Sequence, residues 1–122
     1  MRNKFVARYA LPMPDPIQRK IKALVDSLGG SVVAELLGVD RSQPSRWKSG
    51  KSQPSAQMRG RILDLEYVLS RLEEIFEPAV AVDWLYGINA FLGHQRPIDV
   101  MRIRGVTEVI GAVDAEAGLA FA

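Results

Sequence analysis

Ser31 to Gly50 reads SVVAELLGVDRSQPSRWKSG, and this stretch decides the fold. Ser31 is expected to cap a short helix over Val32–Leu37, with Glu35 near its start and Gly38 ending it. A second helix is expected from about Arg41 to Ser49, capped by Asp40 or the residue after it and closed by Gly50. Pro44 fits that helix only within its first turn, where backbone N–H groups have no intrahelical partner. Small Ala34, Gly38 and apolar Val39 let two short helices cross closely, which is helix-turn-helix geometry. The outer face of the second helix offers Arg41, Ser42, Gln43, Ser45, Arg46 and Lys48, with Lys51 just beyond it. Arginine can grip guanine O6 and N7, glutamine can do so with adenine, and serine and lysine can serve bases or phosphates. Trp47 is expected to point inward and set the angle of the helix.

Working outward, Asp15-Pro16 reads as a helix start, and Ile17, Ile21, Leu24, Val25 and Leu28 follow at helical spacing up to Gly29-Gly30. Before it, Pro12, Pro14 and Pro16 mark residues 1–14 as a basic extended arm. On the other side Ser55 should cap a long helix ended by Pro78. Met58, Ile62, Leu65, Leu69, Leu72 and Phe76 form its apolar stripe, widened by Leu63, Val68 and Ile75. From Ala79 the chain turns apolar in short segments broken by Gly87 and Gly93. Arg96-Pro97 begins a helix to about Arg102, with Asp99 in its first turn and Arg102 and Arg104 near its end. Gly105 separates it from a last helix with Val106, Val109, Ile110 and Val113 on its buried stripe, ending between Val113 and Ala117. No stretch alternates with period two, so the fold class is all-α.

Charge divides the chain. Residues 1–61 carry twelve Lys/Arg against four acids, a net +8, whereas residues 62–122 carry four against ten, a net −6. Two halves of opposite sign imply two kinds of partner. Lys4, Arg8, Lys51, Arg59 and Arg61 are candidates for phosphate contacts, because neutralising phosphates supplies most non-specific DNA affinity. The organisation expected is an arm (1–14), a helix-turn-helix domain with a long connecting helix (15–77) and a smaller helical domain (78–122).

Composition excludes several classes. There is no cysteine, hence no disulfide and no thiolate metal site, which agrees with a reducing cytoplasm. The lone histidine, His94, supports neither a multi-histidine metal site nor an acid–base mechanism. No nucleophile, acid–base pair or metal cluster stands in a recognisable array, so neither an enzyme nor a cofactor is expected. No apolar run is long enough to span a membrane.

The most distinctive stretch is WLYGINAFLGHQRPIDV, Trp84 to Val100, followed by Gly105 and Val109. It resembles the toxin-binding domain of the Xre/MbcA/ParS antitoxins, whose pattern runs roughly W-L-x-x-x-N-x-x-L-G-x-x-x-P. Trp84, Leu85, Asn89, Leu92, Gly93, Arg96, Pro97 and Asp99 match in residue and spacing. Ile88 stands where proline is common, and His94 where a second glycine is common. The segment before it resembles Xre/Cro-like regulators, whose motif often closes with the Trp, Gly and Pro found here as Trp47, Gly50 and Pro54. The resemblance spans about residues 15–118.

It implies an antitoxin that neutralises a RES-domain toxin, an NAD-consuming, ADP-ribosyltransferase-like protein, and that represses its own operon by binding operator DNA. It further implies a homodimer or a larger toxin–antitoxin assembly, and a C-terminal segment that covers the toxin's active-site cleft. Asn89, Arg96, Leu119 and Phe121 are the candidate toxin contacts. The residues themselves leave alternatives open. Arg96 can pair with Asp99 or reach a partner, and Phe121 can meet a partner or fold onto its own core. Trp84 and Leu85 read as core, and Asn89 as a cap. The alternative function is a stand-alone dimeric Xre-like repressor whose C-terminal half dimerises it or senses a ligand.

Overall fold

The computed structural model describes residues 15–121, and of Phe121 only the backbone. The arm of residues 1–14, with Lys4 and Arg8, lies outside the described residues. Those described form seven α-helices and one 3₁₀ turn, with no strand: α1 (Pro16–Leu28), α2 (Gly30–Leu37), α3 (Gln43–Ser49), α4 (Ala56–Leu72), α5 (Pro78–Tyr86), the 3₁₀ turn (Ala90–Leu92), α6 (Pro97–Arg104) and α7 (Thr107–Phe121). The chain is all-α, as its periodicity indicates.

Local chemistry accounts for most helix ends. Asp15 caps α1 by accepting from the Ile17 N–H at 2.9 Å, and Ser55 caps α4 by accepting from Met58 N–H at 3.1 Å. Other ends move from their expected places. Gly29, not Ser31, is the N-cap of α2, so Ser31 lies within its first turn and Glu35 well inside the helix. The helix expected from Arg41 begins at Gln43, because Asp40 instead accepts from the Ser42 N–H (3.1 Å) and hydroxyl (2.5 Å) and builds a turn. The long α4 stops at Leu72 rather than Pro78. The Leu72 carbonyl accepts from both Ile75 and Phe76 N–H and the Arg71 carbonyl from Glu74 N–H, and Pro78 opens α5, the place where its missing N–H costs nothing. The apolar segment after Ala79 is therefore a nine-residue helix. The last helix continues past Ala117 to Phe121, because Ala115, Glu116, Ala117 and Leu119 are good helix formers and outweigh Gly118.

Among the described residues one hydrophobic core runs from α1 to α7. Ile17, Ile21 and Leu24 of α1, Val33 and Leu36 of α2, and Trp47 of α3 surround the first half of α4. Ile62, Leu65, Val68, Leu69 and Leu72 of α4 are all buried, whereas Leu63, expected to widen that stripe, is 44% exposed. The core then continues through Ala81 and Leu85 of α5, Ile98 and Val100 of α6, and Val109, Ala112 and Val113 of α7. Polar links follow the same route. Lys20 of α1 meets Glu66 of α4 at 2.6 Å, and Arg71 of α4 meets Asp114 of α7 at 2.7 Å. Arg102 of α6 donates to the Glu35 carbonyl and to the Leu36 carbonyl (3.1 Å) at the end of α2.

A core shared by both halves should melt as one cooperative unit. The two tryptophans report on either side, Trp47 in α3 and Trp84 in α5. Urea titrations of Trp47→Phe and Trp84→Phe variants, each followed by the remaining indole, are expected to show the same slope m, with each midpoint corrected by far-ultraviolet circular dichroism of the same variant. Fluorescence and dichroism midpoints that separate within a variant would mean that the halves unfold independently.

Asp15 also holds the start of α1 against α4, its carboxylate receiving Arg59 at 3.1 Å and 3.3 Å. The Arg59 guanidinium, and after it the Ile17 N–H, keep the Asp15 carboxyl below its ordinary pKa. A carboxylate depressed on folding stabilises above its unfolded pKa and loses that contribution as pH falls through the folded value. Asp15→Asn keeps the cap but removes the charge. It should lower the melting temperature at neutral pH, and the difference from wild type should vanish toward about pH 2. A difference that persists at low pH would assign the effect to cap geometry.

Candidate nucleic-acid interface and apolar groove

The turn between α2 and α3 is set by backbone. Gly38 adopts the left-handed conformation (φ 70°), and Val39 N–H then closes onto the Ala34 carbonyl at 2.9 Å. Pro44 occupies the first turn of α3, where it is tolerated, and packs inward with Trp47, which is 5% exposed. The far end of α3 is held by Gln18 of α1, whose side-chain amide donates to the Lys48 carbonyl at 3.0 Å. This seven-residue helix is fixed by α1, its own inward face and a glycine stop at Gly50, rather than by its own length.

The candidate DNA-contacting residues divide into two groups. Arg41, Ser42, Ser45, Arg46 and Lys51 are exposed. Asp40 lies among them, its carboxyl held below its ordinary pKa by Ser42 first and by the charges of Arg46 and Arg41. Gln43 and Lys48 are engaged elsewhere. The Gln43 amide donates to the Ser52 hydroxyl at 3.0 Å, bracing the turn after α3. Lys48 lies one turn on from inward-facing Pro44 and pairs with Asp26 of α1 at 3.0 Å. Neither side chain stands on the free outer face expected for it. Arg61, a phosphate candidate, is exposed, whereas Arg59 is committed to Asp15.

On the opposite-charge half, the motif residues build a rigid corner. Asn89 Oδ1 accepts from Phe91 N–H at 2.9 Å, capping the 3₁₀ turn as its residue type indicates, while its backbone pairs with Gln95 at 3.0 Å. Gly93 and His94 are both left-handed (φ 68° and 63°). This accounts for glycine being common at the His94 position, since a side chain there is strained. Arg96 pairs with Asp99 through two bonds of 2.7 Å and 3.0 Å, and its guanidinium lies 5.7 Å over the Tyr86 ring. The structure thus selects the local partner for Arg96. Burial, reinforced by the nearby Glu35 charge, raises the Tyr86 phenol above its ordinary pKa.

Leu85 is fully buried, but Trp84 is only half-buried and donates its indole N–H to Glu116 of α7 at 2.8 Å. Trp84 forms one wall of an open groove of about 320 Å³ between the 87–91 segment and α7. Ile88 and Phe91 stand on its rim, 68% and 61% exposed, and Leu119 from the last turn of α7 is 76% exposed. The Phe91 ring rests on Gly111, where an added methyl would come within 3.3 Å. The groove gathers Asn89 and Leu119 from the expected set and adds Ile88, Phe91 and Glu116, which sequence reasoning passed over. A signal existed. A single 3₁₀ turn points few of its side chains one way, and only Leu92 of this cluster is buried. Arg96 does not line the groove, and the Phe121 side chain lies outside the described residues.

Among the described residues, no group of acidic or histidine side chains could hold a metal, and no helix is long and apolar enough to cross a membrane. No protein-family model matches the chain. The mycobacterial cidal antitoxin MbcA of Mycobacterium tuberculosis is 27% identical over 85 residues, covering 70% of this chain and 75% of MbcA. The protein of the same name from Mycobacterium bovis matches to the same extent. A chain in the crystal structure of the M. tuberculosis MbcT–MbcA toxin–antitoxin complex superposes with a TM-score of 0.71 at 24% identity, over 88% of this chain and 99% of its own. The chain is thus similar in sequence to the MbcA antitoxins and in fold to a chain of the MbcT–MbcA complex.

Proposed function

We propose that this chain is the antitoxin of a toxin–antitoxin pair: a non-enzymatic cytoplasmic protein that binds and neutralises a toxin through residues 78–122 and binds its own operator through α2 and α3. The observation that carries the first part is the similarity to MbcA, which extends over both halves of the chain in sequence and fold. The Trp84–Val100 motif points to a toxin of the RES family, and no cofactor is needed for either task. The helix-turn-helix geometry and the net +8 of residues 1–61 support the second part. A homodimer, or a larger assembly with the toxin, suits the DNA reading because helix-turn-helix proteins gain specificity by spanning two half-sites.

The groove beside Trp84 is the toxin-docking surface in this reading. Large apolar side chains left in water around a concavity mark protein contacts, and aromatic anchors dominate interface energetics. Leu119, in the last turn of α7, belongs to the same surface, and Phe121, whose side chain lies outside the described residues, is the second tail residue assigned to the toxin in this reading. The double variant Phe91→Ala/Leu119→Ala should fold normally, because both side chains are exposed, yet weaken toxin binding by about 2–4 kcal/mol. Co-purification and calorimetry with a RES-family protein encoded beside this chain test it. Unchanged affinity would remove the groove from the interface, and absence of any complex with wild type would remove the antitoxin reading.

For the DNA half, Arg46→Ala should cost about 1–3 kcal/mol at the operator alone, as loss of a base contact does. Lys51→Ala should weaken all duplexes evenly and flatten the slope of affinity against salt by about 0.9. Gel shifts with the upstream promoter region and a scrambled duplex, at two salt concentrations, separate the two effects. A wild-type protein without salt-dependent binding would overturn the DNA reading.

A further inference from the structure

Lys48 is the one cation of α3 whose ammonium is taken by an acid of another helix. Its partner Asp26 sits on α1, its Oδ1 3.0 Å from Lys48 Nζ and its Oδ2 2.5 Å from Lys22 Nζ. The Lys48 backbone is pinned beside the same helix by Gln18. The lysine therefore lies on the flank of α3 next to α1, not on the exposed face that carries Ser45 and Arg46. A flank lysine near the end of a recognition helix is placed for the phosphate backbone rather than for a base edge.

We propose that Asp26 is an electrostatic restraint on DNA binding, holding Lys48 away from phosphate and lowering affinity for every duplex. This rests on the DNA-binding reading of α2 and α3. The restraint is permanent at neutral pH, because Lys22 and then Lys48 keep the Asp26 carboxyl below its ordinary pKa. It is also weak, as both members of the pair are substantially exposed (38% and 47%), so phosphate can displace the carboxylate at a cost rather than being blocked. Any complex in which Lys48 meets phosphate leaves a carboxylate facing the backbone with only Lys22 to neutralise it. Such a toll on phosphate contact leaves base contacts by Arg46 untouched, so it raises the share of affinity that depends on sequence.

The test uses the full chain with two duplexes, the promoter region upstream of its own reading frame and a scrambled duplex of equal composition. Asp26→Asn should tighten binding to both. One additional phosphate neutralised corresponds to a salt slope steeper by about 0.9, which is roughly eightfold in affinity at about 0.1 M salt. Lys48→Ala should remove most of that gain when combined with Asp26→Asn. Melting temperatures of the three variants should stay near wild type, since the pair is a surface one. Unchanged or weaker binding by Asp26→Asn, with wild type still binding in a salt-dependent way, overturns the restraint while leaving the DNA reading in place. A gain undiminished in the Lys48→Ala background also overturns it, by assigning the effect to bare repulsion. Absence of salt-dependent binding by wild type instead overturns the DNA reading itself.

Discussion

Burial of one face of α4 is the constraint on which the rest of the molecule depends. Ile62 and Leu65 complete the core that α1, α2 and α3 build, while Val68, Leu69 and Leu72 carry the same helix into the region packed by α5 and α7. Seventeen residues give a rod of about 26 Å, long enough to serve both regions at once. None of the short helices around it could hold its position alone, since seven to nine residues are marginal as isolated helices. The basic half and the acidic half are thereby held in a fixed relation, which Lys20–Glu66 and the Arg102 contacts to the end of α2 reinforce.

The positions proposed to meet DNA and toxin are the ones this core does not absorb. On α3 the inward places go to Pro44 and Trp47, and that choice leaves Ser45 and Arg46 in water on the other side. Beyond α5, the 3₁₀ turn commits Leu92 to the core and has no inward place for Phe91, which lies against the small surface of Gly111. The exposed rim of Ile88, Phe91 and Leu119 is thus a consequence of backbone geometry. An interface that must be available to a partner is one that a monomer cannot bury for itself.

Left-handed backbone recurs wherever a turn must be tight: Gly38 and Gly50 bracket α3, and Gly93-His94 closes the corner after the 3₁₀ turn. His94 is the exception to glycine in that set. Its strain is borne because Asn89 and Gln95 pair across the corner and the Arg96–Asp99 pair follows immediately. The motif that carries the likeness to the antitoxins is therefore chiefly a device for shaping this corner, and the groove forms beside it.

The all-α class, the start of α1 at Asp15-Pro16, the cap at Ser55, the stops at Gly38 and Gly50 and the inward Trp47 were all legible in the chain by itself. Each rests on interactions within a few residues: a side-chain oxygen and a nearby N–H, a proline without a donor, a glycine free to turn left-handed. Tertiary structure decided what such short-range signals do not contain. Asp26 captures Lys48 from twenty-two positions away, Ser52 occupies Gln43, Arg102 reaches the end of α2, and Trp84, packed half-buried against the core, donates its indole N–H to Glu116. A residue's type says which bonds it can make, but whether its donor or acceptor is still free for DNA or a partner depends on which distant neighbour the packed core brings alongside it.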